Sequence, residues 1–301
     1  MEIIFKIVTI LIDGITYSSW LFIVASGLTL VFGVLKILNI AHGSFYALGA
    51  YLAATIVGFF SSIEFMPEFS LVALLLAALG IATIVAPICE RGILRFFYGK
   101  DEVLLLLVTF ALFLILEDST KLIWGVDPIY AFEPYGLFGT FDFGPLTYVG
   151  YDFVLIFIAF FVGYILWLGL NKTKLGKIIL VVIHNDEIAS SMGINISKIY
   201  SLAFSVGIFL AALGGALTAP MISVQPGLSA DVVILSFAVV IIGGLGSIPG
   251  AAIGALFVGI TRALTVHFFP SAELFSIYLV MVIVLVFKPE GIFKQNQIRK
   301  I

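Results

Sequence analysis

The chain has 301 residues, 62% of them hydrophobic and 11% charged, with a net charge of -3 and a mean hydropathy of +1.23. That balance leaves too little polar surface to coat a soluble globule of this length and makes the chain an integral membrane protein. With 15 basic residues against 18 acidic ones and no basic stripe, it excludes a nucleic-acid partner, and the single Cys89 excludes an internal disulfide and a cysteine metal site.

A membrane span takes about 20 predominantly apolar residues. Runs of this kind lie near 15–35, 40–60, 70–90, 103–124, 151–170, 199–219, 231–246, 248–268 and 272–288. They predict an all-α, polytopic helical bundle of about nine spans, in a range of eight to ten, forming a single transmembrane domain over 1–301. Residues 1–13 read either as an interfacial helix or as the start of a long tilted first span. Lys6 precedes an apolar run, but Asp13 interrupts it and no small-residue cleavage site follows, so the first segment reads as retained.

The stretch LTLVFGVLKILNIAHGSFYALGAYLAA (28–54) sets Lys36, Asn39, His42 and Ser44 among Gly33, Gly43 and Gly49, between two apolar runs. It predicts a helix break beside a translocation path, with Asn39, His42 and Ser44 capping backbone groups that lipid cannot satisfy. No carboxylate is near His42, and the only other histidines are His184 and His267, so the ring reads as a structural hydrogen-bonding group and not as a metal ligand or proton relay.

Loop charges orient the chain. Arg91, Arg95 and Lys100 form one basic cluster, Lys172, Lys174, Lys177 and Lys198 a second, and Lys288, Lys294, Arg299 and Lys300 a third. All three are expected in the cytoplasm, and an even number of spans separates each pair. The acidic segments 61–69 (Glu64, Glu68) and 125–150 (Asp127, Glu133, Asp142) then fall outside, with the N-terminus outside and the C-terminus in the cytoplasm. Segment 125–150, rich in glycine, proline and aromatics, reads as a small hairpin on the outer surface, either a connecting loop resting at the lipid interface or a docking surface. Just before it, Glu117 and Lys121 stand one helical turn apart in the order that favours an ion pair.

Small residues recur at spacings of three and four in GIFLAALGGALTAP (207–220) and IIGGLGSIPGAAIGALFVGI (241–260), which lets helix backbones approach closely. Within the second, GGLGSIPG breaks the helix. The backbone groups freed around Gly243, Gly244, Gly246 and Ser247 must face protein or a wet cavity, which makes these residues candidates for a path or gate.

Five stretches together resemble the membrane-spanning permease subunits of branched-chain amino-acid-type ABC importers. They are GLTLVFGVLKILNIAHGSFYALGAYLA at the first break, WGVDP (124–128), KIILVVIHNDEIASSMGINISKIY (177–200), GGLGSIPGAAIGALFVG (243–259) and KPEGIF (288–293), and they span about nine-tenths of the chain. The resemblance implies a multi-pass protein of a bacterial or archaeal inner membrane. It implies pairing with a homologous second permease, two cytoplasmic ATPase subunits and an external substrate-binding protein. The chain has no GxxxxGK[ST] phosphate loop, so ATP is expected on the partner subunits and no cofactor or enzyme activity on this one.

The resemblance also marks 171–198 as a cytoplasmic coupling segment that docks on the ATPase. Within it, HNDEIASSMGIN reads as a short helix opened by Asn185, Asp186 and Glu187 and ended by Gly193. Leu180 and Asn185 stand where family members commonly carry Arg and Asp, which puts one polar contact in doubt or replaces it by His184. Related permeases pass leucine-like amino acids, urea, amides or aromatic acids.

Two rival classes remain. An ion-coupled secondary transporter marks the midplane with paired ionisable groups, for which Asp13 and Arg262 are the conspicuous candidates within apolar runs. A non-transporting scaffold or receptor explains packing glycines but not polar helix breaks. The alternation of spans also admits inverted repeats, spans one to four and six to nine, with the external stretch 219–230 mirroring the break at Asn39 to Ser44.

Overall fold

The structure is a computed structural model that describes residues 2–63 and 67–293; Glu64, Lys294, Arg299 and Lys300 lie outside the described residues. The chain runs α1 (Glu2–Leu35), α2 (His42–Ser62), α3 (Ser70–Gly80), α4 (Ala86–Gly92), α5 (Glu102–Trp124) and a short α6 (Glu133–Gly136). Strands β1 (Thr140–Phe143) and β2 (Leu146–Val149) follow, then α7 (Gly150–Lys172), α8 (Lys174–His184), α9 (Asp186–Ser191) and α10 (Ile196–Thr218). The last elements are α11 (Leu228–Gly243), α12 (Ile248–Phe268) and α13 (Glu273–Phe287).

Among the described residues, 8 helical segments are long and apolar enough to cross a membrane, and α11 adds a shorter apolar helix. The nine segments coincide with the nine runs read from the sequence. The third span is continuous from Ser70 to Phe97 because a π turn at Ile81–Val85 absorbs Pro87, whose missing N–H interrupts the α ladder. Residues 1–13 are resolved in favour of a long first span, since α1 is helical from Glu2.

Side-chain caps fix several starts. Asp101 accepts from Val103 N at 2.9 Å, Thr173 from Gly176 N at 2.9 Å, Asn195 from Lys198 N at 3.1 Å and Ser247 from Gly250 N at 3.1 Å. The hairpin in 125–150 is present, with Thr140 opposite Val149 and a two-residue Gly144–Pro145 turn in which Gly144 takes φ +67.

Two ends of the bundle can be told apart. At the hairpin end, the start of α1 meets the turn through Phe5 against Gly144. At the opposite, basic end lie the 91–100 loop, α8 and α9, and Gly33 of α1 faces both Gly246 and Ile183. Helices α1 and α10 run antiparallel, with Gly27 and Val31 meeting Gly207 while Val24 meets Gly214. Helix α12 also runs against α1, with Gly259 packed on Gly14 and Ser18.

These contacts explain the small-residue stripes. A Cβ on Gly215 would fall on the Tyr46 carbonyl, one on Gly49 on the backbone of Ala212, and one on Gly254 on the Val239 carbonyl. Helices α1, α2 and α10 therefore touch backbone to backbone in the centre, and the more exposed α5, α7 and α13 surround them. Gly215→Ala should destabilise the protein by about 1–3 kcal/mol, because neither facing backbone can yield. Gly58→Ala, on α2 but with open space around it, should be neutral or stabilising by up to about 1 kcal/mol. Unfolding of the two variants in detergent, compared with the parent, measures both.

Candidate translocation path and coupling segment

The first helix break lies at residues 36–41. Helix α1 ends with Lys36 in the left-handed region at φ +58, its N–H on the Phe32 carbonyl at 2.9 Å. The chain then folds back into the bundle. His42, the first residue of α2, donates from Nε2 to the Val24 carbonyl at 3.0 Å, about three helical turns before the end of α1. Asn39, His42 and Ser44 are all buried, at 1%, 0% and 1% exposure.

Their expected capping role is corrected by the geometry. The N-cap of α2 is Ala41, with no side-chain cap; His42 reaches across to α1, and Ser44 Oγ donates to the Phe113 carbonyl of α5 at 3.4 Å. The break is instead bridged from α5 by Thr109, whose buried hydroxyl accepts from Ile40 N at 3.4 Å and lies 3.3 Å from the Leu38 carbonyl. Both polar atoms of the Asn39 amide, and Nδ1 of His42, have no partner within the described protein. Thr109 carries no signal in its own apolar run, so the sequence did not expose it.

The second break separates α10 from α11 at 219–227. Ile129 pairs with Val224 in both directions at 2.9 Å, so the loop that carries the hairpin pins this break. Helix α11 starts after Gly227, which takes φ +101, and the Ser229 carbonyl lies against Gly43. The first turns of α2 and α11 thus abut inside the bundle. Glu117 of α5 accepts the Gly227 N–H at 2.9 Å and the Ser229 hydroxyl, setting a carboxylate on the positive end of α11. The Glu117–Lys121 ion pair expected from spacing does not form: Lys121 pairs with Asp118 at 3.1 Å, and Glu117 turns inward to α11 because open backbone N–H groups bind a carboxylate more strongly than an exposed ammonium does.

The third break is GGLGSIPG. Gly244 and Gly246 take φ +105 and +82, and Ser247 caps α12. The KPEGIF segment closes it: Ile292 N donates to the Ile242 carbonyl at 2.9 Å and Phe293 N to the Gly243 carbonyl at 3.0 Å. Gly243 and Gly244 are therefore buried against Gly250 and the chain end. Gly246 and Ser247 instead line a groove of about 800 Å³ floored by α1 and walled by α7 and α12. Its lining extends from Ile15 past Ser18, Ser19 and Thr29 to Leu180 and Ile183 of α8 and Phe293 toward the basic end, and none of its lining side chains is charged. Asn39, His42 and Ser44 are not among them.

At the basic end, the Asn185 side chain accepts from Ile188 N at 2.9 Å and caps α9, with Asp186 and Glu187 in its first turn. Gly193, at φ +81, ends it: Gly193 N donates to the Ser190 carbonyl at 2.9 Å and Ile194 N to that of Ala189 at 3.1 Å, a Schellman closure. Asp186, Glu187, Ile188 and Met192 are exposed, whereas Ala189 is buried. Nδ1 of His184 is bound to the Leu180 carbonyl of its own helix at 2.7 Å, which turns the ring back toward α8. Partial desolvation lowers the Lys36 pKa, and the charge of Asp186 pushes it back up.

Of the two charges proposed for an ion-coupled mechanism, Arg262 is engaged elsewhere. Arg262 binds Glu273 at 2.6 Å and lies over the Tyr17 ring at 4.1 Å, and its charge also acts on Asp13. Among the described residues no group of three or more His, Cys, Asp or Glu is arranged to hold a metal ion.

Comparison with known proteins shows the family of the chain. The chain is 28% identical over 302 residues to the high-affinity branched-chain amino acid transport system permease protein BraD of Pseudomonas aeruginosa, covering 97% of each chain. It is 29% identical over 303 residues to the probable branched-chain amino acid transport permease protein LivH of Methanocaldococcus jannaschii, covering 94% of this chain and 91% of that one. The ribose import permease protein RbsC of Escherichia coli is 28% identical over 246 residues, covering 79% and 71%. No solved structure matches. Residues 10–287 match the family described as the permease component of the branched-chain amino acid transport system, and the chain, a multi-pass helical membrane protein, belongs to that family.

Proposed function

We propose that the chain is one permease of an ATP-binding-cassette importer for branched-chain amino acids. It pairs with a homologous second permease, receives its solute from an external binding protein, and is driven by two cytoplasmic ATPase subunits that dock on α9. The observation that carries this reading is the joining of groove to docking helix. Leu180 and Ile183 of α8 line the groove, and α8 passes through Asn185 directly into α9. A force on α9 therefore reaches, through α8, side chains that line the groove.

In this reading the groove is this subunit's wall of the path, its open side covered by the second permease. Gly246 and Ser247 belong to its cytoplasmic gate, Gly243 and Gly244 to the packing behind that gate, and Asn39, His42 and Ser44 to the buried hinge of α1 and α2. A wall without charges suits aliphatic side chains and offers no strong site, which leaves selection to the binding protein. The similarity to a ribose import permease supports the same division of labour, with the scaffold serving more than one solute.

The basic end is cytoplasmic in this reading, since Arg91, Arg95, Lys100, Lys172, Lys174 and Lys177 gather there. With Cys89 replaced, a thiol placed by Thr140→Cys should react with an impermeant reagent added outside intact cells, and one placed by Ser190→Cys should react only after the membrane is opened. The reverse pattern would overturn the orientation.

Docking has its own test. Gly193→Pro removes a left-handed residue and an N–H of the α9 closure, and Glu187→Lys reverses charge on an exposed face. Both variants should insert normally yet retain ATPase subunits at least roughly tenfold more weakly on purification, the scale of losing one interface anchor. Parental co-purification together with parental transport in both would remove α9 from the ATPase interface.

A further inference from the structure

Glu90 is a carboxylate at 1% exposure in α4, near the basic end, and neither the groove nor the docking face uses it. Isolating a carboxylate from water is costly unless donors surround it, and an apolar side chain would fill the site more cheaply. Here two hydroxyls supply the donors. Tyr98 Oη donates to Oε1 at 3.0 Å, and Ser201 Oγ donates to Oε2 at 2.6 Å. Burial, and then the negative charge of Glu90, push the Tyr98 pKa upward, which keeps that hydroxyl protonated and donating.

The contacts continue outward. The Tyr98 ring meets the Tyr200 ring edge to face, with centroids 5.2 Å apart at 89°. Tyr200 Oη donates to Oδ2 of Asp186, the first residue of α9, at 3.2 Å. Two successive residues of α10 therefore point to different partners: Tyr200 holds α9, and Ser201 holds the buried carboxylate of α4. Helix α10 in turn packs backbone to backbone on α1 and α2, at Gly207 and Gly215, and so on both helices of the first break. Asp186 also acts on Lys36, at the entrance to that break.

We propose that Glu90, Tyr98, Tyr200 and Ser201 form a strut that transmits displacement of α9 into α4 and α10, with Asp186 as its outer end. These are positioning residues: they touch neither solute nor nucleotide. The proposal rests on the reading of α9 as the ATPase-docking helix. Its physical content is that a hydroxyl–carboxylate clamp has one preferred geometry, so movement at Asp186 cannot be absorbed by sliding at the second turn of α10. An all-apolar contact there would allow such sliding.

The test uses the complete importer, with both permeases, ATPase subunits and binding protein, in proteoliposomes, and reads ATP hydrolysed per leucine imported. Tyr98→Phe, Tyr200→Phe and Glu90→Gln should each raise that ratio at least about fivefold while the ATPase stays bound. Tyr98→Phe combined with Glu90→Leu should be no worse than Glu90→Leu alone, because the leucine already leaves the Tyr98 hydroxyl without its acceptor. The two phenylalanine variants keep their rings and lose one hydroxyl each, so the measurement stands even if Glu90→Gln folds poorly. A parental ratio in both phenylalanine variants overturns the strut, as does a parallel fall of hydrolysis and transport at constant ratio, which marks a merely structural role. Ile188→Glu with Met192→Glu separates the two claims. Loss of the ATPase from this variant with parental ratios in the strut variants sinks the strut alone, whereas an ATPase that stays bound and active sinks the docking reading and the strut with it.

Discussion

Helices α2 and α11 both begin inside the bundle, and the open N–H groups of those starts cannot be left to lipid. Each unsatisfied group in hydrocarbon costs several kcal/mol, so irregular backbone at this depth exists only where protein supplies partners. The rest of the structure follows from how that demand is met. Local carbonyls meet part of it, and helix α5 meets a further part from one face, with Thr109 bridging residues 38 and 40, the Phe113 carbonyl taking Ser44, and Glu117 taking Gly227 and Ser229. At the third break the C-terminal segment does the same through Ile292 and Phe293. Helix α5 is thus largely exposed on this chain yet braces the starts of both broken helices.

Glu117 also settles an electrostatic question. In transporters built on broken helices, the positive ends of half-helices receive an anionic solute or work with a coupling ion. Here the start of α11 already holds a carboxylate of the protein itself. The charge is spent on structure, which fits a subunit whose energy comes from outside the bundle and whose groove carries no charged side chain. Arg262 is consumed in the same way by Glu273 and Tyr17.

Periodicity and hydropathy made the architecture legible: nine apolar runs became nine apolar helical segments, and the glycine stripes became the contacts of α1, α2, α10 and α12. Local punctuation was legible too, as in the α9 cap at Asn185 and its closure at Gly193, because every partner lies within a few residues. Partners distant in sequence were not. Thr109 sits in an unremarkable apolar run about 70 residues from the break it bridges, and Glu117 looked paired because Lys121 is its nearest cation in sequence. The capping expected of Asn39 and His42 failed for the same reason. Residue type announced a polar break, but only the folded chain shows that His42 turns to α1 while α5 supplies the bridge.

The separation of the buried break from the groove has a mechanical meaning. Asn39 and His42 retain polar atoms without partners among the described residues although they are fully buried. A hinge whose every donor and acceptor is paired has one deep minimum, whereas one that keeps spare acceptors and an amide can exchange partners at little net cost as its helices shift. Around it, the glycine contacts of α10 with α1 and α2 permit no slack. Movement entering through α10 then bears on the relation of α1 to α2, where Asn39 and His42 keep polar atoms without protein partners, and α1 is the floor of the groove.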